Sequence, residues 1–323
     1  MENKQKKWNA KRIVSYIGTI LMIVSLVFVA RSLITAWQND EGFAISMLAS
    51  PWIVGGLLGV AALEGFGIML AGLNFRALLR NVSGVACDRA LAVKVYTESN
   101  VYKYIPGGVM YVAGRNRLAV EVDELSHGKV ALSTVLEGIS MVIGVVVVAM
   151  VFSFNHSVTY IQTLDMLPII LLIVGVVLLI AIPVVYSLRH RIGGGLKKLF
   201  SNMEKLNWIV IVKRVGFGIV LMFSYSATFL MTLTLLGQAL TFELGFAIIG
   251  LYLLAWLAGF LTPGAPSGLG IREAVMMMFL ADFVDVSVLI AAMVLHRMLT
   301  VLGDLFAYVL AFGIMHLKKG SPS

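Results

Sequence analysis

Cysteine is almost absent from this sequence, because Cys87 is the only one in 323 residues. An intrachain disulfide is therefore impossible, and a metal site built from several cysteines is excluded. Charged residues are also scarce, at 13% against a hydrophobic fraction of 59%, which lies outside the range of soluble domains. No polar stretch is long enough to fold as a separate catalytic domain, so we expect a single integral membrane domain over residues 1–323.

Two further features that would indicate other functions are missing. A phosphate-binding loop of the form Gly-x-x-x-x-Gly-Lys-Ser/Thr does not occur, so we do not expect ATP to drive the protein. The net charge of +8 would suggest nucleic acid in a soluble chain. Here the basic residues cluster in short loops between apolar runs, so membrane topology and anionic lipid headgroups explain them better. We expect no nucleic-acid partner, no metal and no cofactor.

The chain consists largely of long apolar runs, several of which reach the ~20 residues that a helix needs to cross a bilayer. We therefore predict an all-α fold, a polytopic membrane helix bundle with seven or eight passages. Gly55, Gly56 and Gly59 are expected to allow close helix contact. The predicted spans are 13–37, 52–75, 130–152, 167–188, 208–236, a run ending near 261, and 286–315.

The basic residues also predict how the chain is oriented. Residues 1–12 and the loop 189–207 are both rich in Lys and Arg, which predicts that they lie in the cytoplasm. That loop joins two repeat-like halves, 13–188 and 208–316. No convincing cleavage site follows the first apolar run, so we expect a retained span in the plasma membrane. Lys318 and Lys319 favour a cytoplasmic C-terminus, which requires the second break described below to cross the membrane rather than dip into it.

Two segments interrupt the apolar pattern in the same way. Residues 104–117 contain Pro106 and then Arg115, and residues 261–273 contain Pro263 and then Arg272, with glycines and a nine-position interval in both. Proline and glycine weaken a helix, and such backbone is tolerated in hydrocarbon only where protein buries it or water reaches it. We predict two broken or re-entrant helices with a site between them. The break residues are Pro106, Gly107, Gly108, Gly114, Pro263, Gly264, Gly268 and Gly270.

Ionisable side chains inside the predicted spans are candidates for function, because burying them in hydrocarbon is costly. Glu64 and Glu137 lie in the middle of their spans, and Arg297 and Asp304 share one face of the last span, with His296 beside them. A structural interpretation is also open, in which these groups pair between helices and fix the packing. We expect His296 to be a packing residue rather than a metal ligand.

Arginine suits the recognition of a lipid phosphate, because its planar fork stays charged and binds phosphate in a bidentate way. We expect a cavity wall formed by arginines that would receive an anionic or zwitterionic phospholipid or a polyprenyl-phosphate lipid. Acidic residues would counter these arginines in the empty site or bind a cationic headgroup. The candidate substrate-binding residues are Arg115, Arg117, Glu137, Arg272, Glu273, Arg297, Asp304 and Glu64.

The segments Tyr104-Ile-Pro-Gly-Gly with Gly114-Arg115, and Pro263-Gly-Ala-Pro-Ser-Gly-Leu-Gly-Ile-Arg-Glu273, resemble the marker motifs of the lysylphosphatidylglycerol synthase transmembrane (flippase-like) family. The resemblance extends across nearly the whole chain. It implies a membrane part that moves lipids between leaflets, here without the soluble aminoacyltransferase domain of the large members. A Glu-Arg pair is common after the first motif, but Gly138 follows Glu137 here, so a partner for Glu137 must come from elsewhere.

The leading hypothesis is therefore a flippase-like translocator of a phospholipid or lipid-linked headgroup, and we assign no catalytic residue. One alternative is a lipid-headgroup transferase that uses a general base from Glu98, Glu121, Asp123, Glu124 and His127. The same acids are equally compatible with a solvated loop. Within the amphipathic stretch 90–104, which we interpret as an interfacial helix, Lys94 and Glu98 are four residues apart and could pair along one helix face. The other alternative is a non-catalytic membrane partner of a separate lipid synthase or glycosyltransferase.

Overall fold

The computed structural model describes residues 50–104, 110–122, 125–153, 207–262, 268 and 270–320, and every regular element in these ranges is helical. The predicted spans 13–37 and 167–188 lie outside the described residues. A short 3-10 turn, Tyr102–Tyr104, follows the second helix. The helices are α1 (Pro51–Ser83), α2 (Arg89–Val101), α3 (Met110–Arg115), α4 (Leu118–Glu121), α5 (His127–Ser153), α6 (Trp208–Leu235), α7 (Phe242–Leu261), α8 (Ile271–Leu280) and α9 (Val286–Gly320).

Five of the described helices, α1, α5, α6, α7 and α9, are long and apolar enough to cross a membrane. They coincide with the five predicted spans in the described ranges, so the all-α polytopic bundle is confirmed. The central helix is α7, whose residues are mostly buried by its neighbours. The main core joins α5, α6, α7, α8 and α9, whereas a second cluster joins α1 and α2 to the start of α5.

Polar side chains fix where several helices begin. Each accepts hydrogen bonds from backbone N–H groups of the first helical turn, which have no partner within the helix. Such N-caps let the apolar run that follows start as a helix at a defined residue. The capping residues are Asp88 before α2, Asn207 before α6, Thr241 before α7 and Asp285 before α9.

Three helix ends meet at one end of the bundle, which we name the basic face. The side chain of Asn81, near the end of α1, exchanges two hydrogen bonds with the backbone of Asn207, which precedes α6. The Nζ of Lys129, near the start of α5, donates to the carbonyl oxygen of Ser83 over 3.2 Å. Thus α5 and α6 both begin where α1 ends, and the loop after α6 lies at the opposite face.

The last helix runs parallel to α1. Leu299 packs with Leu57 near the start of α1, and further along Phe306 meets Phe66 edge-to-face, with ring centroids 5.9 Å apart. Helix α9 therefore begins at the opposite face and ends at the basic face. This direction agrees with the preferred alternative for the C-terminus, while the compartment that the basic face meets stays a prediction.

Helices α1 and α9 approach closely where two glycines meet. A β-carbon built on Gly65 would lie 2.8 Å from the carbonyl oxygen of Gly303, so neither position has room for a side chain. The sequence analysis expected such contact at Gly55, Gly56 and Gly59. Of these, only Gly56 has a neighbour within 4 Å among the described residues, the side chain of Leu235.

Candidate functional site

The described helices on either side of the first break form a hairpin that enters the bundle from the basic face. Helix α2 starts at the basic face after a short turn and extends into the bundle, where it packs against both α1 and α9. With the 3-10 turn it extends about 25 Å, most of a hydrocarbon core. Helix α3 then folds back on α2, because a β-carbon on Gly114 would lie 3.0 Å from the Cβ of Ser99. The chain returns to the basic face at α5, so α2 and α3 form a re-entrant hairpin, the first hairpin.

The first hairpin ends at an arginine, Arg115, whose charge is neutralised by a buried carboxylate. Arg115 is buried and forms an ion pair with the buried carboxylate of Glu137 on α5. The hydroxyl of Tyr96 donates to the other oxygen of this carboxylate over 2.7 Å. The guanidinium carbon lies 4.2 Å from the ring centroid of Tyr96 and 5.0 Å from that of Phe75. Arg115 is thus the partner of Glu137 that the sequence left unidentified.

The tip of the first hairpin is held by α9. The buried carboxylate of Asp304 accepts a hydrogen bond from the Nδ2 of Asn100 over 2.7 Å. Its other oxygen lies 2.7 Å from the Nζ of Lys103 in the 3-10 turn. These contacts place the end of α2 and the 3-10 turn at the depth of the Gly65–Gly303 crossing, well inside the bundle.

The described helices on either side of the second break form a hairpin of the opposite orientation. Helix α7 begins at the opposite face, where α6 ends, and α8 ends there too, because residues 281–285 connect it to the start of α9. A β-carbon on Gly259 would lie 3.0 Å from the Cα of Gly268, so the two arms touch closely at this end. Gly268 has a φ of +69°, a conformation that favours glycine. Helices α7 and α8 form the second hairpin.

Glu273 fixes the start of α8. One of its carboxylate oxygens accepts a hydrogen bond from the backbone N–H of Gly270 over 2.6 Å, which caps the helix. Its other oxygen lies 2.8 Å from the Nη1 of Arg297 on α9. The second hairpin is therefore attached to α9 by an ion pair, as the first hairpin is.

Arg272 differs from the other candidate arginines. Its Nη1 donates to the hydroxyl of Tyr225 over 3.3 Å, and its guanidinium carbon lies 5.6 Å from the ring centroid of Trp256. The half-buried side chain has no carboxylate within 4.0 Å among the described residues, since Glu273 turns to Gly270 and Arg297. Its Nε also has no hydrogen-bond partner in the described part of the chain.

The two hairpins meet along α9. Arg297, which holds the second hairpin, and Asp304, which holds the first, are seven residues apart, or about 10 Å along the helix. The two hairpins thus enter from opposite faces of the bundle, and both contact the same two turns of α9, through Asn100 and Lys103 in the first and Glu273 in the second. Such paired, oppositely oriented hairpins are typical of repeat-built transporters.

Two cavities open beside these hairpins. A cavity of about 320 Å³ borders the first hairpin, where Glu98, Tyr102 and Arg117 contribute to its wall. A cavity of about 180 Å³ lies between α8 and α9, lined by Glu273 and Arg297 together with apolar residues of α9. Arg117 and Arg297 therefore line different cavities, and Arg115 and Arg272 line neither of the two.

Arg117 lies at the surface rather than deep in the bundle. Its guanidinium bridges Glu98 and Glu121, with both N–O distances at 2.6 Å. Glu98 and then Glu121 raise the pKa of Arg117 above its ordinary value. Two of the acids considered as general bases are thus used in ion pairs, and Glu98 contacts Arg117 instead of the Lys94 considered from the sequence.

Glu64 and His296 lie together in the core beside the Gly65–Gly303 crossing. The His296 Nε2 is 3.9 Å from the Glu64 Oε1, and both side chains are buried. Tyr252 and Thr232 contact the two ring nitrogens of His296. No cluster of metal-ligating side chains occurs in the described ranges, and His296 packs among aromatic rings.

Sequence reasoning missed several partners of the candidate residues. Tyr96, Asn100, Lys103, Tyr225 and Tyr252 complete the polar contacts described above. All are polar side chains that no sequence pattern distinguishes from other polar residues. Only the packing of helices that are distant in the sequence brings them to the candidate site residues. The break residues Pro106, Gly107, Gly108, Pro263 and Gly264 lie outside the described residues.

These features define a class, the polytopic helical membrane proteins. The chain belongs to the family described as the lysylphosphatidylglycerol synthase TM region, whose model matches residues 14–307. This match confirms the resemblance drawn from the two motifs and indicates a role related to membrane lipids. None of the curated proteins compared with the chain matches it.

Proposed function

We propose that this protein translocates a phospholipid or a lipid-linked headgroup between the leaflets of the membrane. The headgroup crosses where the two hairpins meet against α9, while its acyl chains stay in the lipid. The family supports a lipid-related role, and the opposed hairpins support movement across the bilayer rather than chemistry at one face.

One observation carries this proposal: Arg272 has a half-buried guanidinium that no described carboxylate compensates. A buried charge without a partner is costly, whereas a bound phosphate would supply both the counter-charge and an acceptor for the Nε–H, which has no partner among the described residues. The other three candidate arginines are already paired with acids. Arg272 is therefore the position at which an anionic headgroup gains most.

The neighbourhood of Arg272, whose sequence neighbour Glu273 lines the cavity between α8 and α9, suits a molecule with an anionic head and apolar tails. The exposed outer surface of the bundle is apolar, as lipid contact requires, and the cavity between α8 and α9 is lined mainly by apolar residues. Glu273 and Arg297 form an ion pair in the wall of this cavity. A zwitterionic or charged headgroup can replace either side chain as the partner of the other. Anionic phospholipids and polyprenyl-phosphate lipids both satisfy this chemistry.

We place the basic face in the cytoplasm, following the positive-inside rule. Arg76 and Arg80 near the end of α1, Lys129 at the start of α5 and Lys213 at the start of α6 all lie toward this end. The first hairpin then opens from the cytoplasmic side and the second from the outside, in the plasma membrane. A lipid headgroup that crosses the membrane would leave its contacts with one hairpin and form contacts with the other.

The test is a leaflet-resolved assay in vesicles that contain the purified chain and a fluorescent phosphatidylglycerol. A membrane-impermeant reductant bleaches the outer leaflet, so the loss of the protected signal reports translocation. Arg272→Met should slow translocation about ten- to a hundredfold, because a hydrogen-bonded charge contributes about 1.5–3 kcal/mol. Arg272→Lys should be intermediate, because lysine keeps the charge but not the bidentate fork.

The matched control is Arg80→Met, which removes an exposed arginine at the end of α1. It should translocate lipid like the unaltered protein. An unchanged rate in Arg272→Met would remove Arg272 from the site. A purified chain that moves neither phosphatidylglycerol nor phosphatidylcholine would refute translocation of phospholipids.

A further inference from the structure

The contact between Glu64 and Thr228 raises a question about hydrogens. The hydroxyl oxygen of Thr228 lies within hydrogen-bond distance of the Glu64 Oε1 and also 2.6 Å from the carbonyl oxygen of Tyr225. A hydroxyl has one hydrogen, and a carbonyl oxygen can only accept. When Thr228 donates to the carbonyl, its contact with Glu64 is a hydrogen bond only if the carboxyl group carries a proton. A protonated Glu64 satisfies every partner.

The hydrogens around His296 can be counted in the same way. Thr232 donates its hydrogen to the carbonyl oxygen of Thr228 over 2.9 Å, so it can only accept from the His296 Nδ1, 3.4 Å away. The Nδ1 then carries the hydrogen of a neutral ring, and the Nε2 accepts from the Tyr252 hydroxyl over 2.9 Å. A neutral imidazole therefore fits its surroundings, with its accepting nitrogen 3.9 Å from Glu64.

Together these side chains form a buried site with one proton and two places to hold it. With Thr228 donating to the carbonyl oxygen, the proton resides on the Glu64 carboxyl, and the His296 Nε2 lies 3.9 Å away as the neighbouring base. Both groups lie beside the α1–α9 crossing, at the depth where the two hairpins meet. The titratable and charged groups that surround the pair are Tyr225 on α6, Tyr252 on α7, Arg272 on α8, Arg297 and Asp304 on α9, and Lys103 in the 3-10 turn.

The proton site is connected to Arg272. The Tyr252 ring, which contacts His296, lies 5.5 Å from the Tyr225 ring between centroids, and the Tyr225 hydroxyl accepts from Arg272. An ionised Glu64 would oppose an anion at Arg272, because like charges repel strongly in a medium of low dielectric. Protonation removes that charge, so a proton and an anionic headgroup assist each other's binding. Such coupling is reciprocal by thermodynamic linkage.

We propose that Glu64 and His296 form a proton-binding site that couples proton movement to the lipid translocation proposed above. The carboxylate of Glu64 takes up one proton from water at one face, an anionic headgroup binds at Arg272, and both are released at the other face. One proton is taken up and one is released for each lipid. For a monoanionic headgroup, the proton and the lipid together therefore carry no net charge across the membrane. This inference rests on the proposed function for its transport step but not for the proton site.

Infrared spectroscopy of the purified chain tests the proton site without any transport. A protonated carboxyl group has a carbonyl stretching band that is separate from the bands of carboxylates. We expect this band at neutral pH in the unaltered protein, its loss in Glu64→Gln, and a shifted band in Thr228→Val, which lacks the hydroxyl partner. Glutamine keeps the shape of the protonated side chain, and Thr228→Val serves if Glu64→Gln does not fold. A band that none of these substitutions alters would overturn the site.

The coupling is tested with the same vesicles under a pH gradient. With the interior one pH unit above the exterior, fluorescent phosphatidylglycerol should redistribute between the leaflets by up to about tenfold, the ratio of proton activities for one proton per lipid. A protonophore should abolish the redistribution, and Glu64→Gln should not respond to the gradient. Asp282→Asn, an exposed acid in the turn after α8, should respond like the unaltered protein.

The outcomes separate the two proposals. Lipid movement whose rate and final distribution ignore the gradient would overturn proton coupling and leave translocation standing. A chain that moves no lipid would refute the proposed function, and the infrared band would still decide whether Glu64 holds a proton. A response to the gradient that persists in Glu64→Gln would place the coupling proton elsewhere and overturn this inference.

Discussion

The two hairpins have the same plan but differ in how their arginines are neutralised. In the first hairpin, Arg115 is paired with Glu137 and enclosed by aromatic rings. In the second, Arg272 occupies the matching sequence position but has a tyrosine hydroxyl and a tryptophan ring in place of a carboxylate. The proline-to-arginine interval is equal, so the difference arises from the helices that pack around each hairpin.

This comparison indicates a division of roles between the hairpins. The first hairpin is attached to α5 by the buried pair of Arg115 with Glu137 and to α9 by the partly exposed pair of Lys103 with Asp304, so two ionic contacts fix its position. The second is attached to α9 only through Glu273 among the ionic contacts described. We infer that the first hairpin keeps a fixed position in the bundle. The second hairpin then presents the arginine that binds the headgroup.

The largest expected effect is loss of stability in Arg115→Met. Removing one member of a buried ion pair leaves the charge of Glu137 uncompensated, which typically costs about 3–5 kcal/mol. Unfolding of the purified protein in denaturant would measure it. The double variant Arg115→Met with Glu137→Gln should recover most of the loss, because neither charge remains. Equal destabilisation by the single and double variants would contradict a structural role for the pair.

A smaller effect is expected for Glu273→Ala, which removes the cap of α8 and the partner of Arg297. Losing a cap costs about 0.5–2 kcal/mol, and the unpaired arginine adds to it. Amide hydrogen exchange should rise in residues 270–280 and stay unchanged in residues 89–101. The control is Glu243→Ala at the first turn of α7, where the charge has no ion pair among the described residues. Faster exchange in both hairpins would show that they move as one unit.

The sequence predicted the helices more fully than the site. Long apolar runs and N-cap residues decide where helices lie, and these signals are local in the chain. The pairing of Arg115 with Glu137 also joins two residues that stood out by themselves. The contacts of Asp304 with Asn100 and Lys103 connect residues about two hundred positions apart, so only tertiary packing defines them. Local patterns also led us to predict Arg117 as part of the same cavity wall as the other arginines, whereas it lies at the surface.

The contrast between the two arginines predicts opposite signs for their effects on stability. Arg272→Met should raise the free energy of unfolding by about 1 kcal/mol, because it removes a half-buried charge that has no carboxylate partner among the described residues and whose Nε–H has no acceptor there. Arg115→Met should lower it, as argued above. Thermal unfolding of both variants without added lipid would show the difference. A destabilised Arg272→Met would mean that residues outside the described ranges compensate Arg272, and its role as the headgroup site would then need another basis.

The smallest expected effect is that of Arg117→Met, which tests whether position relative to the first hairpin matters more than charge. Arg117 is 48% exposed and forms ion pairs with Glu98 and Glu121, so solvent and salt screen its contacts. Its removal should cost about 0–1 kcal/mol, and the cost should shrink further at high salt. Arg115, only two residues earlier, should show a salt-insensitive loss several times larger. Comparable losses for the two variants would contradict the assignment of Arg115 as the buried anchor of the first hairpin.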